Sequence, residues 1–218
     1  MIMIDVHNFA DQFRAYSWNG KHSLYGYPED AFPRFEWIVT LEKRFEWLRI
    51  NCDSEKTASV YLIKEMIQWG GSQNGTLQKF EDGAGEVNLQ QLMDQTISNL
   101  DDTERAISSA LKFPGMGLTY ASKLLRFLDP ERYGALDNRI RKALLKAEIL
   151  PEITDSSNPN MISGYVKFMN IVEGIRSQLN TQAISRPQCH LPAGTSSSQW
   201  RAADIEMALF SGTHFERP

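Results

Sequence analysis

The chain has 218 residues and a formal net charge of −4, and 42% of it is hydrophobic. That is long enough and apolar enough for a globular domain with its own core, which excludes a disordered or fibrous chain. No run approaches the roughly 20 apolar residues of a membrane helix, and Met1–Val6 has neither the length nor the basic flank of a signal peptide. The expectation is a cytoplasmic protein with no membrane partner.

The first 33 residues set Trp18, Tyr25, Tyr27 and Phe32 among Gly and Pro, and leave room for a small N-terminal sheet. From there the pattern is helical. Phe35, Ile38, Leu41, Phe45 and Leu48 recur at helical spacing. Asp53 or Ser54 caps a second helix through Val60, Ile63 and Ile67, which stops at Gly70-Gly71. Residues 70–85, rich in Gly, Ser, Asn and Gln, read as a loop. A helix over about 87–98 follows, then one capped by Asp101 or Asp102 that runs through Ile107 to Leu111. The turn Phe113-Pro114-Gly115-Met116-Gly117 leads into a helix with Ala121, Leu124, Leu125 and Leu128 on one face, ended by Asp129-Pro130. Asp137 opens a helix carrying Ile140, Ala143, Leu144 and Ala147. Helices over 160–179 and Trp200–Phe210 flank a turn-rich stretch, 181–199, that reads as a surface loop. The whole is one mainly α domain without internal repeats.

Charge is unevenly spread. Residues 112–147 carry a net +5, while residues 1–111 carry −7 and 148–218 carry −2. The positive footprint therefore coincides with the glycine turn. Two glycines let backbone N–H groups approach a phosphate, and the helix that follows adds its N-terminal partial charge. Lys112, Gly115, Met116, Gly117, Thr119 and Arg139 are the candidate phosphate-binding residues, with DNA as the partner. Taken alone, the same turn is an ordinary helix–helix connection.

The turn, Ala121, Leu124-Leu125 and Ala135-Leu136-Asp137-Asn138-Arg139-Ile140 together resemble the helix-hairpin-helix/Gly-Pro-Asp superfamily of DNA glycosylases. The nearest likeness is to a bacterial 8-oxoguanine-glycosylase-like group, on Ser122–Pro130 and Arg201–Phe210. The resemblance is clear over about 112–145. It implies a helical glycosylase-like fold with the helix-hairpin-helix near 101–128, and Asp137 as the carboxylate for base excision. Lyase-active members carry a lysine two positions after the second glycine. Here that position is Thr119, which points to hydrolysis without strand cleavage. The family's proline is absent, with Gly134 near its place. The excised base would be damaged or modified, in DNA repair or in defence against a phage that modifies its bases.

The chemistry asks for such an acid. Cleaving an N-glycosidic bond develops positive charge on the sugar, and a nearby carboxylate stabilises it. Asp is also a common helix N-cap, and the two roles are compatible. Lys123 lies one turn beyond Thr119. It reads either as an amine nucleophile for lyase activity or, by its displaced position, as a phosphate-contacting or exposed cation, and the second reading is favoured. Cys52, Cys189 and the four histidines match no metal spacing, and Gly83-Ala84-Gly85 is too short for a nucleotide loop, so no cofactor is expected. Two rivals remain: a non-catalytic DNA-binding scaffold, and a helical interaction protein whose glycine turn is only a turn.

Overall fold

The computed structural model describes residues 4–16, 36–51, 56–188 and 199–212. Among these residues the chain forms ten α-helices and one short 3-10 turn, with no strand. The helices are α1 (Phe9–Arg14), α2 (Glu36–Asn51), α3 (Lys56–Trp69), α4 (Thr76–Gly83), α5 (Leu89–Ser98), α6 (Thr103–Ala110), α7 (Leu118–Leu128), α8 (Asn138–Lys146), α9 (Asn158–Thr181) and α10 (Ala202–Ser211). The stretch in which a small sheet was expected, with Trp18, Tyr25, Tyr27 and Phe32, lies outside the described residues.

Helix α7 is the axle of the fold. Every residue in it except Thr119 is buried, and α2, α3, α6 and α9 all pack against it. The helix still has a polar face, Thr119, Ser122, Lys123 and Arg126, and the last three of these are buried with the apolar one. Phe127 shows the packing, with Phe45 of α2 stacked on it at 5.7 Å and the Trp69 ring edge-on at 4.9 Å. Helix α10 is buried from Ala202 to Phe210 and contacts α1, α8 and α9. Its leading amides are satisfied by a loop: Ala202 N donates to Glu131 O at 3.2 Å, and Ala203 N to Pro130 O at 3.1 Å.

Termination signals act as their chemistry dictates. At the end of α3, Gly71 has φ +86°, its amide donates to Gln68 O, and the Ser72 amide donates to Ile67 O. This is the Schellman arrangement, which favours glycine at its left-handed residue. Asn88 and Asp102 cap α5 and α6 by accepting from Gln91 N and Arg105 N. Pro159 sits in the first turn of α9, where its missing N–H costs nothing.

Three sequence expectations change. Residues 70–85 are not a plain loop but hold α4, nucleated by Phe80, which is fully buried. Few apolar residues were needed, because one aromatic anchor supplies most of the burial. Helix α1 forms in a segment with no clear periodicity, burying Phe9 and Phe13 against α10. The 181–199 stretch is not wholly superficial. Arg186 is buried against Asp204 at 2.8 Å, and the Trp200 indole N–H donates to Ile184 O at 2.8 Å.

Candidate functional site

The glycine turn joins α6 to α7, which pack on each other. Its two glycines serve different ends. Gly115 has φ +70°, and a Cβ there would lie 2.7 Å from Lys79 Cβ and 3.1 Å from the Phe80 amide nitrogen. Its missing side chain therefore seats the turn against α4. From the same helix Gly83 approaches Pro114, where a Cβ would be 2.6 Å from Pro114 Cβ. Gly117 has an ordinary φ of −85°, and a Cβ would meet no described atom within 4 Å. It is the N-cap of α7 and offers no side-chain acceptor to the leading amides of that helix. Open space in front of uncapped amides is what an anion needs.

The other turn residues divide in the same way. Lys112 is exposed, and Thr119 is half-buried in the first turn of α7. Met116 departs from its expected role. Its side chain is buried in the core and its amide already donates to Phe113 O at 3.2 Å, so neither faces a ligand. Lys79, exposed on α4 and adjacent to Gly115 through its Cβ, is a cation that sequence order did not connect to the turn. Gly115 and Gly83 thus let α4, distant in sequence, lie against the turn.

Asp137 is the N-cap of α8, and its carboxyl accepts from the Ile140 amide at 2.9 Å. It is half-buried. The backbone before it is held from α7: the buried Ser122 hydroxyl accepts from the Leu136 amide at 2.9 Å and donates to Thr119 O at 3.0 Å. Gly134 lets α10 close in on this segment, for a Cβ there would lie 2.9 Å from Glu206 Cβ. Its carbonyl accepts from the Tyr165 hydroxyl at 3.0 Å. Gly134 thus sets the distance between the Asp137 segment and α10. Arg139 follows on the exposed first turn of α8, its guanidinium 4.7 Å from the centre of the Phe210 ring.

Lys123 is not the exposed cation favoured by its sequence position. It is 6% exposed, with Nζ 5.2 Å from the ring centres of both Trp69 and Tyr120. Gly70 makes room for it, since a Cβ there would stand 3.0 Å from Nζ. The Tyr120 hydroxyl fixes this wall by donating to Gly70 O and accepting from the Gln73 amide. Burial lowers the Lys123 pKa below the usual lysine range, while Asp137 and Glu206 oppose that shift. The site therefore joins Lys123 and Asp137 electrostatically, which their separation in sequence did not show.

Sequence reading missed Tyr16 and Glu206 as members of this cluster, and Arg126, which in sequence reads as a phosphate contact or solvated charge, is instead buried within it. Arg126 has no exposed surface, and its Nη2 pairs with Glu42 at 2.8 Å. Its Nε lies 3.7 Å from Glu206 Oε2, beyond hydrogen-bond reach. Glu206 is 4% exposed, and its Oε2 has no hydrogen-bond partner among the described residues. Burial raises its pKa to about 8, against Arg126 and Lys123 and with help from Asp137 and Asp204. Tyr16 is also buried, its pKa raised first by burial and then by Glu206. Burial would likewise raise Glu42, but Arg126 and Arg201 together hold it below its ordinary value. The Glu42–Arg201–Asp204–Arg186 chain of ion pairs continues from there and ties α2 to α10. The signal available in sequence was the pair of acids, Asp204 and Glu206, inside an otherwise apolar helix.

Among the aromatic residues that could by type stack on a flipped base, Trp37, Trp69 and Tyr133 are core residues and Trp47 is exposed. No group of three or more potential metal ligands occurs among the described residues. No helix of the described residues is long and apolar enough to cross a membrane. Set against family models, curated proteins and solved structures, the chain matches none.

Proposed function

We propose that the protein is a DNA glycosylase that cleaves the N-glycosidic bond of a damaged or modified base, with Asp137 as the essential carboxylate. The observation that carries this reading is the placement of Asp137. It is half-buried and fixed as the cap of α8, within electrostatic reach of the buried Lys123 on the helix whose uncapped head is Gly117. The turn would hold a DNA phosphate through the amides at the head of α7, with Lys112 and Lys79 adding charge. A target base must be rotated out of the stack before its glycosidic bond is accessible. Asp137 would then stabilise the positive charge that grows on the sugar ring as the bond breaks. The test is release of free base from duplexes carrying modified bases, lost in Asp137→Asn.

The burial of Lys123 favours a second mode of the same function. A desolvated lysine with a lowered pKa is a better nucleophile than an exposed one, and its amine can bond to C1′ of the sugar. In this mode Asp137 assists an amine rather than water, and strand cleavage can follow. Borohydride trapping on abasic DNA separates the modes. A covalent adduct that disappears in Lys123→Ala supports the amine, and base release without an adduct supports water.

A further inference from the structure

Glu206 is a buried acid that hydrolysis by Asp137 leaves unused. It lies on α10, pressed against the Asp137 segment by the close approach of Gly134. The charged or titratable groups that act on it are Tyr16 after α1, Lys123 and Arg126 on α7, Asp137 at the head of α8, Tyr165 on α9 and Asp204 on its own helix. Tyr165 and Tyr16 are themselves held protonated, by burial above all. Only Arg126 and Lys123 favour a Glu206 anion. An ion pair with Arg126 alone would call for a short contact, yet Nε stands 3.7 Å away and Oε2 has no hydrogen-bond partner among the described residues. A carboxylic acid placed there keeps an unengaged oxygen beside the α7 face that carries Arg126 and, one turn earlier, Lys123.

We infer that Glu206 supplies the proton for amine chemistry at Lys123 and becomes the counter-anion of the iminium formed there. This rests on the second mode proposed above. On an abasic deoxyribose, neutral Lys123 Nζ bonds to the aldehyde carbon C1′. A proton moves from that nitrogen to the former carbonyl oxygen, which leaves a carbinolamine with one hydroxyl. Glu206 gives its proton to that hydroxyl, the C–O bond breaks and water leaves. The nitrogen lone pair closes the C=N bond. The products are an iminium cation and a Glu206 carboxylate, so the net charge of the buried site does not change. Arg126 is in place to hold the new anion. Charge neutrality matters here, because an uncompensated charge in a desolvated site is costly.

The test uses the full chain and a duplex with a single abasic site, trapped with borohydride over a range of pH. Glu206→Gln keeps the shape and neutrality of the protonated acid, so the fold and abasic-DNA affinity stay at wild-type level while trapping slows by about 100-fold. Wild-type trapping falls as pH rises through about 8, and Glu206→Gln lacks that limb. A wild-type profile without the fall overturns the inference whether or not the variant folds. So does a Glu206→Gln protein that traps at the wild-type rate. If the wild type forms no adduct, or Lys123→Ala traps as well as the wild type, the amine mode itself has failed, and the role of Glu206 falls with it.

Discussion

The two glycines of the turn should separate folding from binding. In Gly115→Ala the new methyl must adopt φ +70° and sit 2.7 Å from Lys79 Cβ and 3.1 Å from the Phe80 nitrogen. The left-handed conformation costs about 1–2 kcal/mol. The clash falls on a backbone atom of α4 as well as on a side chain, so relief requires the turn to lift off that helix, for about 1–3 kcal/mol more. The expected loss is about 3 kcal/mol, or roughly 6–12 °C in Tm for a chain of this size. In Gly117→Ala the methyl meets no described atom within 4 Å, at an ordinary φ of −85°. The poorer N-cap is offset by reduced freedom of the unfolded chain, and stability should stay within about 1 kcal/mol of wild type. The same methyl stands in front of the uncapped amides, so DNA affinity should drop about tenfold, which corresponds to one charge-assisted hydrogen bond. Urea denaturation and DNA titration at several salt concentrations measure both effects. A Gly115→Ala protein within 0.5 kcal/mol of wild type, on the scale of an ordinary surface change, would refute the packing argument. Undiminished DNA binding by Gly117→Ala would refute the phosphate turn.

Three further outcomes follow from the site. Asp137→Asn keeps an oxygen to accept from the Ile140 amide and should fold within about 0.5 kcal/mol of wild type, whereas Asp137→Ala should cost about 1 kcal/mol; thermal unfolding of the pair checks the cap. Ser122→Ala leaves the buried Leu136 amide without its acceptor and should cost about 1–3 kcal/mol by urea denaturation. It should also lower base release, since Asp137 is the next residue. Glu206 keeps its proton in the folded protein up to about pH 8, while the unfolded chain releases it near 4.5. Its contribution is therefore fully present below pH 4.5 and is lost as pH rises to about 8. Relative to wild type, Glu206→Gln should gain stability over that window, by at most about 5 kcal/mol, as read from urea midpoints at pH 5 and pH 8.5.

The helices that carry the site were legible because their signals are local. Asp102 and Asp137 cap where an acid precedes a helical pattern, and Gly71 ends α3 where a left-handed residue is needed. Helix α4 was hidden because one buried ring, Phe80, replaces the periodic stripe that a reader counts. The position of Lys123 was hidden for another reason. Spacing places it one turn beyond Thr119, but only tertiary packing buries that face against Trp69 and Tyr120, with Gly70 making the room. Glu206 and Tyr16 reach the site from opposite ends of the chain, and nothing local marks either as a neighbour of Asp137. The two glycines read alike in sequence. They differ in the fold because α4 lies behind Gly115, whereas a Cβ on Gly117 would meet none of the described atoms within 4 Å.

The central claim is tested most directly by mass-spectrometric detection of free base after incubating the protein with duplexes that carry a broad panel of modified bases. The wild type should release one base or a small set, and Asp137→Asn should bind the same duplex and release none. Binding without release from any substrate by the wild type would contradict the account and leave a DNA-binding scaffold. Release that continues undiminished in Asp137→Asn would contradict the role given to that carboxylate.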